Sequence, residues 1–365
     1  MAIKTLYIDD EINGGRPQIE AIKDALEANG LLNVELFEVS DLPQTIQRIN
    51  QGDVKAVILD LELDSAANSK GERVQYKAPT LAQNIREKSI DLQNLDLPII
   101  LCSTQEKINN LYRRDLSSHD LFDMRFHKER QDYNIESIGV HSIIKGYEKI
   151  KEVNLDIEKL FGIKQDEIDS RVYTPLLIAK SLPTYNIAQI ILKDVIYMNG
   201  PLIDEQLLAA RLGIDTKKSA QWEEIKESIF GEAKYKGVFS SGWNRWWMHR
   251  VQSIFQEITN VNLAAIDATE KVNLLKEKTK FTEIVYADKI KRCKSSKYWT
   301  VCKGFNSPLD PREGFKIIMS REPKVWQDYD YISLEAALER EGFEERGIRL
   351  HPSEEERFNL IKDTL

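Results

Sequence analysis

Five side chains in the first 130 residues are of the types that move a phosphoryl group onto a carboxylate. Asp9 and Asp10 follow the apolar run Lys4-Thr5-Leu6-Tyr7-Ile8, and Asp60 follows Ala56-Val57-Ile58-Leu59. Ser103 follows Pro98-Ile99-Ile100-Leu101-Cys102, and Lys128 follows Met124-Arg125-Phe126-His127. A carboxylate is a weak nucleophile toward a phosphoryl group because both are anionic. A hard divalent cation such as Mg²⁺, which takes oxygen ligands and keeps several waters, removes that repulsion. Asp10 and Asp60 are of the type to bind it directly, Asp9 through a water, and the backbone carbonyl of Glu62 would add a third protein oxygen. Lys128 would hold the phosphoryl oxygens as a point charge. Ser103 would donate a hydrogen bond to the same group. Charge stabilisation of this kind is most of the work in phosphoryl transfer.

Such a set acts together only if the chain brings its members to one place. Each apolar run reads as a short buried strand. Between the runs lie amphipathic segments: Pro17 opens a helix with Ile19, Ile22 and Leu26 inward and Gly30 closes it, and Asp41-Leu42-Pro43 starts a second with Ile46 and Ile49 inward. Val34–Val39 alternates as a half-buried strand, residues 64–78 read as a polar loop, Pro79 begins a third helix through Leu81 and Ile85, and residues 105–117 read as a fourth. Alternating strand and helix imply a parallel sheet covered on both faces. The C-terminal ends of such strands share one edge, where ligands bind.

An acidic pair after strand one, Asp after strand three, Ser or Thr after strand four and Lys after strand five resembles the receiver domain of response regulators. The resemblance covers about the first third of the chain. It implies a flavodoxin-like doubly wound five-stranded parallel sheet with strand order 2-1-3-4-5. It further implies Asp60 as phosphoacceptor, Asp9 and Asp10 as Mg²⁺ ligands, Ser103 and Lys128 as switch residues, and a histidine kinase as phosphodonor. Three positions depart from the usual pattern. The loop at 64–78 lengthens the interval between Asp60 and Ser103, Glu129 stands where a proline usually follows the lysine, and Arg125 occupies the aromatic position, with Phe126 beside it.

Beyond residue 131 the pattern changes. Residues 134–161 read as one long helix with Ile143, Tyr147, Ile150, Asn154, Ile157 and Phe161 in a seam, either packed on the sheet or available for a dimer through residues 143–161. Residues 166–268 read as a helical, winged-helix-like domain. There Glu205–Leu212, capped by Asp204 and ended by Gly213, resembles the first helix of a helix-turn-helix. The following segment, Lys217–Glu224, is only partly basic. Trp243, Trp246 and Trp247 read as core or interface anchors. Residues 269–365 read as a small α+β part with a helical tail. It contains a basic stretch (Lys289, Lys291, Arg292, Lys294, Lys297, Lys303) around Tyr298 and Trp299, and short β segments near Lys297–Lys303 and Phe315–Ser320.

Composition sets the outer bounds. The 365 residues are 42% hydrophobic and 30% charged, enough for two or three ordinary cores. No apolar run approaches the roughly 18 residues of a membrane span, and charges interrupt the N-terminal apolar stretch, so a cytoplasmic location is expected. Three cysteines form neither a disulfide framework nor a zinc site. The net charge of −8 is concentrated in residues 1–131, which hold 16 Lys and Arg against 22 Asp and Glu. That balance disfavours non-specific nucleic-acid binding by the chain as a whole.

The expectation is a response-regulator-like protein, phosphorylated on Asp60 with Mg²⁺ and passing that state to a C-terminal interaction module with an unknown partner. It would be no enzyme beyond its own phosphorylation and dephosphorylation. Two other outputs fit the same input: duplex DNA, as in a transcription regulator, or a phosphate-buffering or effector-gating role in a multi-gene system such as anti-phage defence.

Overall fold

In the computed structural model, which describes residues 2–12, 17–110, 120–130, 132–339 and 347–364, the first strand is β1 (Ile3–Asp9). Then come α1 (Pro17–Glu27), β2 (Leu32–Glu38), α2 (Leu42–Ile49), β3 (Val57–Leu59), α3 (Ala78–Lys88), β4 (Ile99–Ser103), α4 (Gln105–Asn110) and β5 (Met124–His127). The predicted helix over 105–117 is seen as α4, and its remainder lies outside the described residues. The five strands form one all-parallel sheet in the order β2-β1-β3-β4-β5, which is the flavodoxin-like arrangement.

The sequence dictates this layering locally. β4 is buried along its whole length, as a central parallel strand must be when helices cover both faces. α1 turns Ile19, Ile22 and Leu26 inward. α2 begins where the Asp41 side chain accepts from the Gln44 amide and Pro43 occupies the first turn. Two cores result, one on each face of the sheet: Leu6, Ile8, Val57, Leu59, Ile99 and Leu101 face one way, Tyr7, Ile58, Ile100, Cys102 and Phe126 the other. That alternation is the two-residue period of a strand.

The chain divides into two compact units, Met1–Ile196 with Lys236–Trp243, and Tyr197–Tyr235 with Asn244–Leu365. In the first unit the sheet is followed by α5 (Asn134–Val153), α6 (Ile157–Phe161), α7 (Ser170–Ile178) and α8 (Thr184–Ile190), which continues as π-helical turns through Ile196. The expected single helix over 134–161 is thus two. Asn154 (φ 46°) and Leu155 (φ 61°) are left-handed, which ends α5, and Asn is a residue that tolerates this conformation. The seam residues Ile143, Tyr147, Ile150, Ile157 and Phe161 are buried inside their own unit, while Asn154 is exposed.

Residues 236–243 also pack on α5. Ser142 Oγ donates to the Phe239 carbonyl (3.0 Å), and Ser241 Oγ donates to Ser142 Oγ (2.9 Å). A Cβ on Gly146 would lie 2.0 Å from the Phe239 ring, so only glycine allows this seat.

The second unit holds a two-stranded pair, β6 (Leu202–Ile203) and β7 (Trp246–Trp247), and a four-stranded sheet. That sheet has the order β10 (Gly314–Lys316), β11 (Tyr331–Ser333), β8 (Thr300–Cys302), β9 (Ser307–Leu309). Its helices are α9 (Glu205–Leu212), α10 (Trp222–Ser228), α11 (Met248–Thr259), α12 (Ala268–Lys278), α13 (Leu334–Leu338) and α14 (Glu355–Lys362). α9 is buried from Leu207 through Leu212, which makes it the centre of this unit's core rather than a surface helix. Among the described residues no helix is long and apolar enough to cross a membrane.

Candidate functional site

All four strand ends named by the sequence meet at the C-terminal edge of the five-stranded sheet. Asp9 is the last residue of β1, Ser103 the last of β4, and Asp60 and Lys128 directly follow β3 and β5. The ladder runs on to hold them there: the Asp60 amide donates to the Ile8 carbonyl (3.0 Å) and the Lys128 amide to the Ser103 carbonyl (3.0 Å). Side-chain carboxylate oxygens of Asp9, Asp10 and Asp60 lie within 4.8 Å of one another. All five residues are buried, with exposures of 0% for Asp9, 5% for Asp10, 1% for Asp60, 0% for Ser103 and 8% for Lys128.

Lys128 is the bridge. Its Nζ donates to Asp9 Oδ2 (2.7 Å) and forms an ion pair with Asp60 Oδ1 at 3.0 Å. Burial works against the ammonium, but the Asp60 and Asp9 carboxylates outweigh it and hold Lys128 above the ordinary lysine range. Burial pushes Asp60 up, and Asp9 adds to this while Lys128 and Lys107 oppose it. Burial likewise raises Asp10, against the pull of the Ala66 amide, which donates to Asp10 Oδ2 (2.6 Å).

One ammonium against three buried carboxylates leaves the pocket short of positive charge. Two buried acceptors there, Asp60 Oδ1 and Ser103 Oγ, have no hydrogen-bond partner, an expensive condition inside a protein. A set of hard, converging carboxylate oxygens with unused acceptor capacity fits a divalent cation of the Mg²⁺ class. A phosphoryl group beside it would satisfy the Ser103 hydroxyl.

The Glu62 side chain turns away from this cluster to Lys107 (2.9 Å) and Lys77 (3.3 Å). The sequence expectation for Glu62 concerns its backbone carbonyl, not this side chain. Three contributors were not read from the sequence. Lys107, on the first turn of α4, adds a second positive charge beside Asp60. Tyr7, two residues before Asp9 on the same face of β1, donates its hydroxyl to Asp9 Oδ2 (3.1 Å). The long loop at 64–78 has a use, since its Ala66 amide covers Asp10. The β1 period predicts Tyr7 in principle; the other two depend on how a helix and a loop fold back.

The aromatic positions differ from a typical receiver. Phe126 is buried and packs edge-on against Tyr133 (centroids 5.8 Å apart), while Arg125 is the exposed residue of β5. Tyr133 donates its hydroxyl to the Lys128 carbonyl (2.8 Å), so an aromatic side chain does fix the lysine's backbone from below.

In the second unit the expected aromatic residues are largely buried, whereas Lys289, Lys291, Arg292, Lys294 and Lys297 of the basic run are exposed. Trp246 and Trp247 are fully buried, Tyr298 is buried, and Trp299 lies under the Arg211 guanidinium (4.8 Å). Lys291 and Arg292 pair with Glu335, and Lys303 with Asp330. α10, following the helix-turn-helix-like α9, carries Glu223, Glu224 and Glu227, and Trp222, Ile225 and Lys226 are turned inward.

No family model matches the chain, and no curated protein matches it. Solved structures similar to it include the receiver domain of NtrX from Brucella abortus (16% identity, 35% of this chain and 87% of that one, TM-score 0.25). A sensor protein from Polaromonas sp. JS666 is also similar (19% identity, 39% and 96% coverage, TM-score 0.29). So is the response regulator TrrA from Thermotoga maritima in complex with Mg²⁺-BeF (20% identity, 41% and 98% coverage, TM-score 0.24). By its own strand order and the residues at its strand ends, the first unit has the flavodoxin-like fold and resembles response-regulator receivers.

Proposed function

We propose that the first unit is a phosphoryl-accepting receiver of a two-component system, with Asp60 as the acceptor and a histidine kinase as donor. The observation that supports this most directly is the buried pocket in which three carboxylates converge, Asp60 Oδ1 has the Lys128 ammonium at 3.0 Å, and Ser103 Oγ has no hydrogen-bond partner. Mg²⁺, held by Asp9, Asp10 and Asp60, would supply the charge neutralisation that lets two anions approach. An Asp60 oxygen forms the new O–P bond as the donor's N–P bond breaks, and the departing imidazole keeps the electron pair. Burial favours the neutral carboxyl, so Lys128 is needed to keep Asp60 ionised and nucleophilic. The Ser103 hydroxyl then donates to a phosphoryl oxygen, and Lys128 shifts its charge from the carboxylates to the same group. The catalysis extends no further than the chain's own phosphorylation and dephosphorylation.

For output, the support lies on α5. Residues 236–243 interrupt the second unit in sequence, yet they seat Phe239 on Gly146 and bond to Ser142. A change in the packing of α5 would reach the rest of the chain through both ends of that segment.

The test is covalent labelling. Wild type incubated with Mg²⁺ and acetyl phosphate is expected to gain one phosphoryl mass, and the Asp60→Asn protein none. An adduct that persists in Asp60→Asn, or one that forms equally in chelator, would overturn the reading.

A further inference from the structure

Tyr7 is the one large aromatic side chain of β1, and it is wholly buried beneath the acidic pocket. A strand advances about 3.3 Å per residue with alternate side chains on opposite faces. Tyr7 and Asp9 therefore stand on one face, with the tyrosine ring reaching along the strand toward the sheet edge. The ring packs in the same core as Ile22, Cys102, Phe126 and Val140. The ring fills that core, and its hydroxyl must in addition find a partner.

That partner is Asp9. A carboxylate has about four acceptor positions. On Asp9, Oδ2 takes the Lys128 ammonium at 2.7 Å and the Tyr7 hydroxyl at 3.1 Å, and Oδ1 takes the Glu11 amide at 2.9 Å. Three donors from three directions fix the plane of the carboxylate and leave one acceptor position, on Oδ1. Lys128 also approaches Asp60, so by itself it is a shared and movable anchor. A phenol hydroxyl has one proton to donate, and Tyr7 gives it to Asp9 Oδ2. The second contact of the hydroxyl, to Cys102 Sγ at 3.7 Å, is weak.

We propose that Tyr7 is a positioning residue for the divalent-cation site: its hydroxyl fixes the orientation of the Asp9 carboxylate beside Asp10 and Asp60. This rests on the cation reading of the pocket given above. Partners of metal ligands act by fixing ligand orientation, and their loss typically weakens binding by about 10- to 100-fold.

The experiment is a Mg²⁺ titration by calorimetry on the full chain, with thermal unfolding of the metal-free protein alongside. Tyr7→Phe keeps the ring and removes only the hydroxyl. It is expected to raise the Mg²⁺ Kd about 10-fold, while Cys102→Ala, which disturbs the same core from the other side, leaves the Kd as in wild type. A purely packing role predicts the reverse, with a lower melting temperature for Tyr7→Phe and an unchanged Kd, and that result would overturn the inference. Equal loss of affinity in Cys102→Ala would also overturn it, because general core damage would then explain the effect. Absence of Mg²⁺ binding by wild type would remove the cation reading and this inference together, whereas binding by wild type with equal affinity in Tyr7→Phe removes only this one.

Discussion

Two buried acid–base clusters lie at opposite edges of the same five-stranded sheet, and they are built on opposite principles. At the N-terminal edge, Asp123 precedes β5. Its Oδ2 accepts from Arg86 (2.8 Å) and from the Ile99 amide (2.8 Å), and its Oδ1 from Tyr147 (2.8 Å) and Gln189 (2.7 Å). Arg86 in turn donates to the Leu97 and Leu121 carbonyls and lies over the Tyr185 ring. One cation meets one anion, and the carboxylate's acceptor capacity is filled. At the C-terminal edge three carboxylates share one close ammonium, and Asp60 Oδ1 and Ser103 Oγ have no hydrogen-bond partner. Both clusters are equally buried, so burial does not separate a structural site from a functional one. Charge balance separates the two clusters: Asp123 has all its acceptor positions taken and one guanidinium to match its charge, although Gln189 Oε1 beside it has no hydrogen-bond partner, while the C-terminal edge holds an excess of negative charge.

The comparison can be broken most severely at Asp123. Asp123→Ala would strand the buried Arg86 guanidinium and is expected to cost about 3–5 kcal/mol in denaturant unfolding. A loss too small to measure would show that this network does not hold the unit together. Asp60→Asn, at the other edge, is expected to behave in the opposite sense and to stabilise the metal-free protein by about 1 kcal/mol, because a repelling charge is removed.

That gain should depend on pH with a definite sign. The folded-state pKa of Asp60 is raised above its unfolded value, chiefly by burial. Its protonation therefore adds stability below the unfolded value of about 4, and that contribution is lost as pH rises through the raised folded value. Melting curves of wild type and Asp60→Asn should accordingly converge as pH falls from 7 toward about 4. A gap that widens on acidification would show that Asp60 is stabilised in its ionised form.

Tyr147→Phe removes one of four donors to Asp123 and leaves three, so about 1 kcal/mol of destabilisation is expected by the same unfolding measurement. Ser103→Ala should have the smallest effect on folding, within about 0.5 kcal/mol, since the hydroxyl it removes has no partner to lose. Its effect should fall instead on the rate of phosphoryl incorporation, which sharpens the distinction between the two edges.

Much of the site was legible without coordinates because its members sit at element ends. An apolar run stopping at Asp9, Asp60, Ser103 or Lys128 announces a buried strand and the residue that leaves it, and parallel connectivity puts such residues on one edge whatever the details. The cluster at the other edge was not legible. Arg86, Asp123, Tyr147 and Gln189 come from four separate stretches of chain, and none has a neighbour in sequence that marks it. The long seam over 134–161 misled for a local reason: its apolar spacing continues past Val153, but Asn154 and Leu155 turn left-handed and begin a new direction.

For the first 130 residues the sequence by itself determined the order of strands and helices and the polar residue at each strand end, because these follow from periodicity and from chemistry within a few residues. Tertiary structure alone decided which polar groups are satisfied. The Tyr7 hydroxyl reaching Asp9, Lys107 arriving beside Asp60, the Ala66 amide covering Asp10 and the 236–243 segment seating Phe239 on Gly146 all depend on distances between parts of the chain remote in sequence or on how side chains rotate. A hydrogen bond depends on a few tenths of an ångström and on an angle, and the order of residues along a chain specifies neither.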